Sequence, residues 1–211
     1  MIVVTGDESP QLLVLRQNSA RDSFKLYQYF NLLPGSNFPE VAAESVGASV
    51  LKQDSKFLLV SPNVLADAVG DILNNGAAST WIELIDPNNQ YLQDVAGVQA
   101  ALVETLSNAN LDFGHELSDF PMTLLSTADG GALVGLYMYD TYTIIPREPG
   151  DAVAISGDEA VLLGSAGSAT GIETRYAAML LFHVPASGSQ SQITLLGATQ
   201  QLLTAESIGA Q

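Results

Sequence analysis

The sequence predicts an α+β fold, with a central strand-helix-strand-helix segment followed by a β-rich half that is sandwich-like or a folded meander. Three observations lead there. Residues 62–75 place apolar side chains at helical spacing between a proline and a glycine. Residues 89–110 carry a second helical pattern. After residue 120, short apolar runs are cut by Gly, Pro, Asp and Ser, the punctuation of successive strands.

The elements follow in order. "MIVV" and "QLLVL" read as two strands separated by the turn-rich "TGDESP". "SFKLYQYFNLLPGSNFPE" reads as a strand or short helix running into a proline-containing loop. "KFLLV" reads as a buried strand. In "SPNVLADAVGDILNNG", Ser61 is placed to cap and Pro62 suits the first turn, where its missing N–H is no loss. Val64, Leu65, Ala68, Val69, Ile72 and Leu73 form one stripe, and Gly76 can adopt the left-handed stop. "TWIELI" reads as a further strand. The second helix turns Leu92, Val95, Leu102, Val103 and Leu106 inward. Residues 56–108 are therefore expected to form a βαβ unit with a parallel strand pair and an added helix.

Beyond Asn110 the runs "MTLLST", "ALVGLYMYDTYTIIP", "DAVAIS", "EAVLLGS", "TRYAAMLLFHV", "QITLLGA" and "QQLLTA" read as strands, although the last segments, rich in Ala and Leu, also suit helices. A division at residue 120 results: 1–120 as a mixed α/β part and 121–211 as a β-rich part, separate or packed as one continuous domain.

Charge is scarce and one-sided. Charged residues make up 14% of the chain, against about 25% in ordinary domains. There are 23 acids and 7 bases, and no Lys or Arg lies between Phe57 and Pro146. Five of the seven bases fall within residues 1–56. Phosphate backbones and anionic lipid are repelled by such a surface, so neither nucleic acid nor membrane is an expected partner. Basic protein surfaces are attracted. Cysteine is absent, which removes disulfides, thiolate metal sites and cysteine nucleophiles. The N-terminus lacks the basic and apolar regions of a signal peptide, and no apolar run reaches the length of a transmembrane helix, so a soluble chain is expected.

Catalytic chemistry is thinly represented. His115 lies in "DFGHELSDF" among three carboxylates, which reads as a solvated loop rather than a metal site. His183, between Phe182 and Val184, reads as structural. Ser165 in "LLGSAGS" lacks the first glycine of a nucleophile elbow, and "GSAGSATG" lacks the lysine of a phosphate loop. The joint "LLVSPNV" lacks the glycines that admit a pyrophosphate. No catalytic residue, metal or cofactor is expected.

Two functions fit. The leading one is a non-enzymatic structural protein that packs with copies of itself or with other subunits, most concretely a component of a virion such as a phage head-decorating, head or tail protein. Its sequence support is the long strand 132–146, apolar on both faces: Tyr137, Tyr139, Thr141 and Thr143 share one face and are expected at an interface, while Leu136, Met138 and Ile144 form the core face that Asp140 interrupts. The alternative is a cytoplasmic small-ligand binder or enzyme using strand-end loops, with Ser61, Asn63, Asp86, Asn88 and Asn89 as the ligand residues. Either way, band shifts with duplex DNA at moderate salt should show no complex. A complex weakening steeply with salt would contradict the charge argument.

Overall fold

The computed structural model describes residues 2–5, 10–86 and 88–209. It is α+β, as the sequence predicts, and dominated by one antiparallel sheet. Its strands are β1 (Ile2–Thr5), β2 (Gln11–Arg16), β3 (Lys25–Leu32), β4 (Ala109–Leu117), β5 (Thr123–Ser126), β6 (Ala132–Pro146), β9 (Ile172–Val184) and β10 (Thr194–Ser207). They follow the order β1-β2-β3-β10-β9-β6-β4, and β5 pairs the beginning of β6 on the side that β4 occupies further along. A separate small ribbon joins β7 (Val153–Ala154) to β8 (Gly167–Ser168). The helices are α1 (Pro62–Asn75), α2 (Gln90–Thr105) and α3 (Gly157–Leu163).

The register of β6 against β9 sets the core. Val134, Leu136 and Met138 stand beside Phe182, Leu180 and Ala178, and all six are buried on one face. α1 packs on that face through Leu65, Val69, Ile72 and Leu73, and α2 through Val95. Pro62 opens α1 and Gly76 closes it at φ 53, but the Ser61 hydroxyl makes no capping bond. Asn89 does cap α2, its side-chain oxygen accepting from Leu92 N at 3.2 Å. The inward stripe of α2 is weaker than its pattern suggests: Val95 is buried, whereas Val103 is more than half exposed.

What covers the opposite face of β6 is the chain's own N-terminal part. β3 meets β10 at only two residue pairs, Leu32 with Gly197 and Asn31 with Ala198, and the sheet turns sharply there. The β2–β3 wing then folds back, and Leu12, Val14 and Phe30 pack on Leu133, Met179, Leu181 and Leu196. Gln28 accepts from the Thr123 hydroxyl on β5, and Tyr27 donates to Pro121 O at 2.7 Å. Two strand glycines make room. A Cβ on Gly135 would meet Phe30 Cζ at 3.0 Å, and one on Gly197 would meet Asn31 O at 2.9 Å.

The parallel pair expected within 56–108 does not form. Residues 56–60 and 80–85 are bends and turns held by single bridges, Leu58 to Ala186 (antiparallel) and Ile85 to Ile193 (parallel). β9 is flanked by β6 and β10 along almost its whole length, so these shorter runs find no sheet edge to extend. Leu58 and Ile85 still enter the core, while Phe57 is exposed. "EAVLLGS" is helical rather than extended: Asp158 and Glu159 sit in the first turn of α3, where the helix dipole favours them, and Gly164 stops it at φ 74. "QITLLGA" and "QQLLTA" form one strand, β10, with irregularities after Leu195 and Leu202.

Leu65 is fully buried and Phe57 is not, so the two substitutions should separate. Leu65→Ala should cost about 2–5 kcal/mol in chemical denaturation. Phe57→Ala should stay within about 0.5 kcal/mol, the range of surface changes. Equal costs would place Phe57 in the core.

Candidate functional site

Alternation along β6 turns Asp140 onto the helix-covered face, where it is fully buried. An uncompensated carboxylate there would be costly, and three side chains answer it. His115 Nδ1 lies 2.7 Å from Oδ1, Gln200 Nε2 donates to Oδ2 at 2.6 Å, and the Tyr91 hydroxyl donates to Oδ2 at 3.1 Å. A carboxylate only accepts, which puts the imidazole proton on Nδ1 and leaves Nε2 facing Gln99 Nε2 at 2.8 Å. Asn74 of α1 brackets the His115 backbone, accepting from its N–H and donating to its carbonyl, each at 3.0 Å. That carboxamide occupies the outer edge of β4 as a neighbouring strand would.

His115 is therefore on a strand and buried, not in a solvated loop. Pairing shows why the nearby carboxylates do not join it: Asp112 lies opposite Thr143 and Glu116 opposite Tyr139, both on the other face of the sheet. Among the described residues no three His, Asp or Glu side chains gather as a metal site.

Beside Asp140, a cleft of about 320 Å³ opens between α2 and the sheet, lined by Tyr91, Asp94, Val95, Val98, Tyr142, Tyr176 and Gln200 among others. Burial, reinforced by the Asp140 charge, pushes the Tyr142 phenol up to about 12. Burial and Asp140 raise Tyr91 further, and burial with Glu159 does the same for Tyr176, whose hydroxyl donates to Glu159 at 2.7 Å. These phenols are neutral donors at ordinary pH and poor nucleophiles.

On the opposite face, Tyr137, Tyr139, Thr141 and Thr143 are each half-buried. Tyr137 packs against the wing cluster and against Phe120, ring centroids 4.9 Å apart. Tyr139 is stacked by Arg175, whose guanidinium carbon lies 3.9 Å from the ring centroid, and Arg175 also pairs with Glu116 at 2.7 Å. Pairing across the four strands sets Asp112, Thr143, Glu173 and Glu206 in one row and Glu116, Tyr139, Ala177 and Gln201 in another. The face is thus a tyrosine–threonine stripe with exposed carboxylates around it.

The five strand-end residues do not all converge. Asp86, Asn88 and Asn89 line a groove of about 700 Å³ with the loop at 33–39, Asp129, His183 and Gln192. Ser61 and Asn63 are not part of it: they start α1, with Asn63 N donating to Gln53 O. Asp86 accepts from Asn88 N at 2.9 Å, the turn role such residues commonly have. His183 Nε2 is 3.2 Å from Asp129 Oδ2, a second His–Asp contact that lies at the groove rather than in the core. The Asp140 network was missed by sequence reasoning. Its one signal was a carboxylate interrupting an apolar strand face.

The chain belongs to the domain-of-unknown-function family DUF8094, whose model matches residues 3–207. Comparison with curated proteins and with solved structures finds no match.

Asp140→Ala should cost about 3–5 kcal/mol in denaturation, because the buried His115 is left without its partner and the half-buried Tyr91 and the exposed Gln200 lose their acceptor. A cost under about 1 kcal/mol would mean that the network is open to water. Tyr142 adds an alkaline signature. Its folded pKa lies above the ordinary value of 10, so the stability it contributes is intact below pH 10 and is lost as pH rises toward about 12. Thermal melts across that window, compared with Tyr142→Phe, should show a steeper alkaline loss in the unsubstituted protein.

Proposed function

We propose that the protein is a non-enzymatic assembly protein whose copies pack head to tail. The supporting observation is complementarity between two exposed parts of the chain. The tyrosine–threonine face carries Asp112, Glu116, Glu173 and Glu206 against Arg175, four negative charges and one positive. The hairpin joining β2 to β3 carries Arg16, Arg21 and Lys25 against Asp22, three positive charges and one negative. Residues 18–26 of this hairpin are all exposed, and Phe24 and Leu26, each about half exposed, add apolar surface.

The hairpin of one copy seated on the tyrosine face of the next pairs opposite charges around an aromatic contact. Tyrosine and arginine are favoured in such interfaces. A face-to-face dimer would instead oppose eight carboxylates with two guanidiniums, which is repulsive. Head-to-tail contacts are heterologous, so they close into rings or extend into filaments. A virion head or tail is the most concrete setting. Its support is composition: subunits covered by neighbours need little surface charge, and only 14% of this chain is charged.

A second reading, a small-ligand binder, is favoured by one observation. Asp86, Asn88 and Asn89 meet Asp129 and His183 around the groove of about 700 Å³.

Sedimentation at low salt tests the assembly reading. The unsubstituted chain should sediment well above its monomer mass of 22.2 kDa. Arg21→Glu with Lys25→Glu should leave circular dichroism unchanged and reduce it to monomer. Adding Glu116→Lys and Glu173→Lys should restore the larger species. A chain that stays monomeric at high micromolar concentration would overturn the reading.

A further inference from the structure

We infer that the cleft between α2 and the sheet binds a small alkylammonium cation, held against the faces of Tyr91, Tyr142 and Tyr176. This site lies on the opposite face of the sheet from the assembly surface and does not depend on it.

Three features support the assignment. The first is the lining. Three tyrosines from three elements, α2, β6 and β9, border one cleft of about 320 Å³, with Val95 and Val98 completing an apolar wall. That volume is at the lower end of small-ligand sites, about 300–1,000 Å³, and suits a ligand of a few heavy atoms. Tyr142 and Tyr176 have ring centroids 5.5 Å apart and are inclined at 52°, so they form two walls rather than a closed stack.

The second is the state of the hydroxyls. The Tyr91 hydroxyl donates to Asp140 and the Tyr176 hydroxyl to Glu159. With these two hydroxyls engaged, the rings have their π-faces to offer a ligand, and a π-face attracts cations through its quadrupole.

The third is the field. Asp94 is part of the lining, Asp140 lies immediately beneath Tyr91 and Gln200, and Glu159 holds Tyr176. Among the described residues no Lys or Arg lines the cleft. The phenols of the cleft are raised first by burial, and the Asp140 and Glu159 carboxylates add to that rise. An anion would be repelled and a neutral apolar group would gain nothing from the carboxylates. A compact ammonium, strongly hydrated, loses more on entering an aromatic site than an alkylated one does.

Calorimetric titration with choline and with its neutral carbon isostere, dimethylbutanol, tests this on the full chain. The two have the same shape and differ in charge. Choline should bind at least about tenfold more tightly, in line with the gain from desolvated cation–π contact. Tyr176→Leu should weaken choline about tenfold or more, and Tyr176→Phe, which keeps the ring, should stay within a few-fold. Asp94→Asn, an exposed change that spares the core, should weaken choline and leave the isostere unaffected. Equal binding of the two probes would reduce the cleft to an apolar slot and overturn the inference. So would absence of choline binding at millimolar concentration, or a Tyr176→Leu protein that binds choline as before.

Discussion

Asp140 is a fully buried carboxylate in the middle of the longest strand, and satisfying it dictates much of the surrounding geometry. Its partners come from β4, β10 and α2, and through His115 the network reaches α1 as well. A slip of one residue in β6 would turn Asp140 to the other face and leave His115, Tyr91 and Gln200 without their acceptor. Apolar packing alone tolerates substitutions of similar volume. A buried charge does not, because an unmade bond costs more than a made one contributes. The network thus selects one register for β4–β6–β9–β10 and one seat for α2, whose apolar stripe buries only Val95 completely.

A second constraint is the sharp turn of the sheet at the β3–β10 junction. Two residue pairs hold that junction, and the wing beyond it shields the proximal half of the second face. The wing ends where β6 is still only halfway along, so Tyr137 is packed by the chain itself while Tyr139, Thr141 and Thr143 continue onto open sheet. The same wing carries the basic hairpin outward. The wing thus both covers one half of the face and leaves its basic hairpin exposed.

The legible parts of the sequence were those in which local pattern and tertiary fate coincide. α1 has Pro62 in its first turn and a helical apolar stripe as the pattern implies, and Gly76 ends it at positive φ, though with ψ -130 rather than in the left-handed helical conformation. β6 alternates over fifteen residues, and its core face is buried as expected. Short apolar runs were ambiguous because strand pairing depends on a free edge elsewhere. Residues 56–60 and 80–85 have strand composition but meet a sheet whose central positions are taken, so they form no ladder and instead bury Leu58 and Ile85 in the core, with Leu59, Val60, Trp81 and Leu84 packed partly buried against it. α3 hides in an apolar run too short for periodicity to decide. Of the site residues, Asp86, Asn88 and Asn89 could be grouped because they adjoin in sequence. The partnership of His115, Asp140 and Gln200 could not, because it depends on register across strands far apart in the chain. Ser61 and Asn63 belong to a different helix start, separated from that group by the failure of the parallel pair.

The two proposed binding surfaces share strands but not side chains. On β6 the residues facing outward are Tyr139 and Thr141, and those on the helix-covered face are Asp140, which is buried, and Tyr142, which lines the cleft. On β9 Arg175 faces outward and Tyr176 inward. Strand alternation therefore brings the two surfaces within one backbone thickness of each other. Proximity alone does not couple them, since coupling needs an element with two arrangements that both sites bias. The paired strands are poor candidates: each backbone hydrogen bond resists displacement of its neighbours. α2 is the better one, since it supplies Tyr91, Asp94, Val95 and Val98 to the cleft and packs on the face of the sheet opposite the tyrosine–threonine stripe. A ligand in the cleft would accordingly tighten the seat of α2 and protect its amides from exchange while leaving the outward face unchanged. The proposed assembly and cation binding would then be additive, kept separate by the two-residue period of the strands.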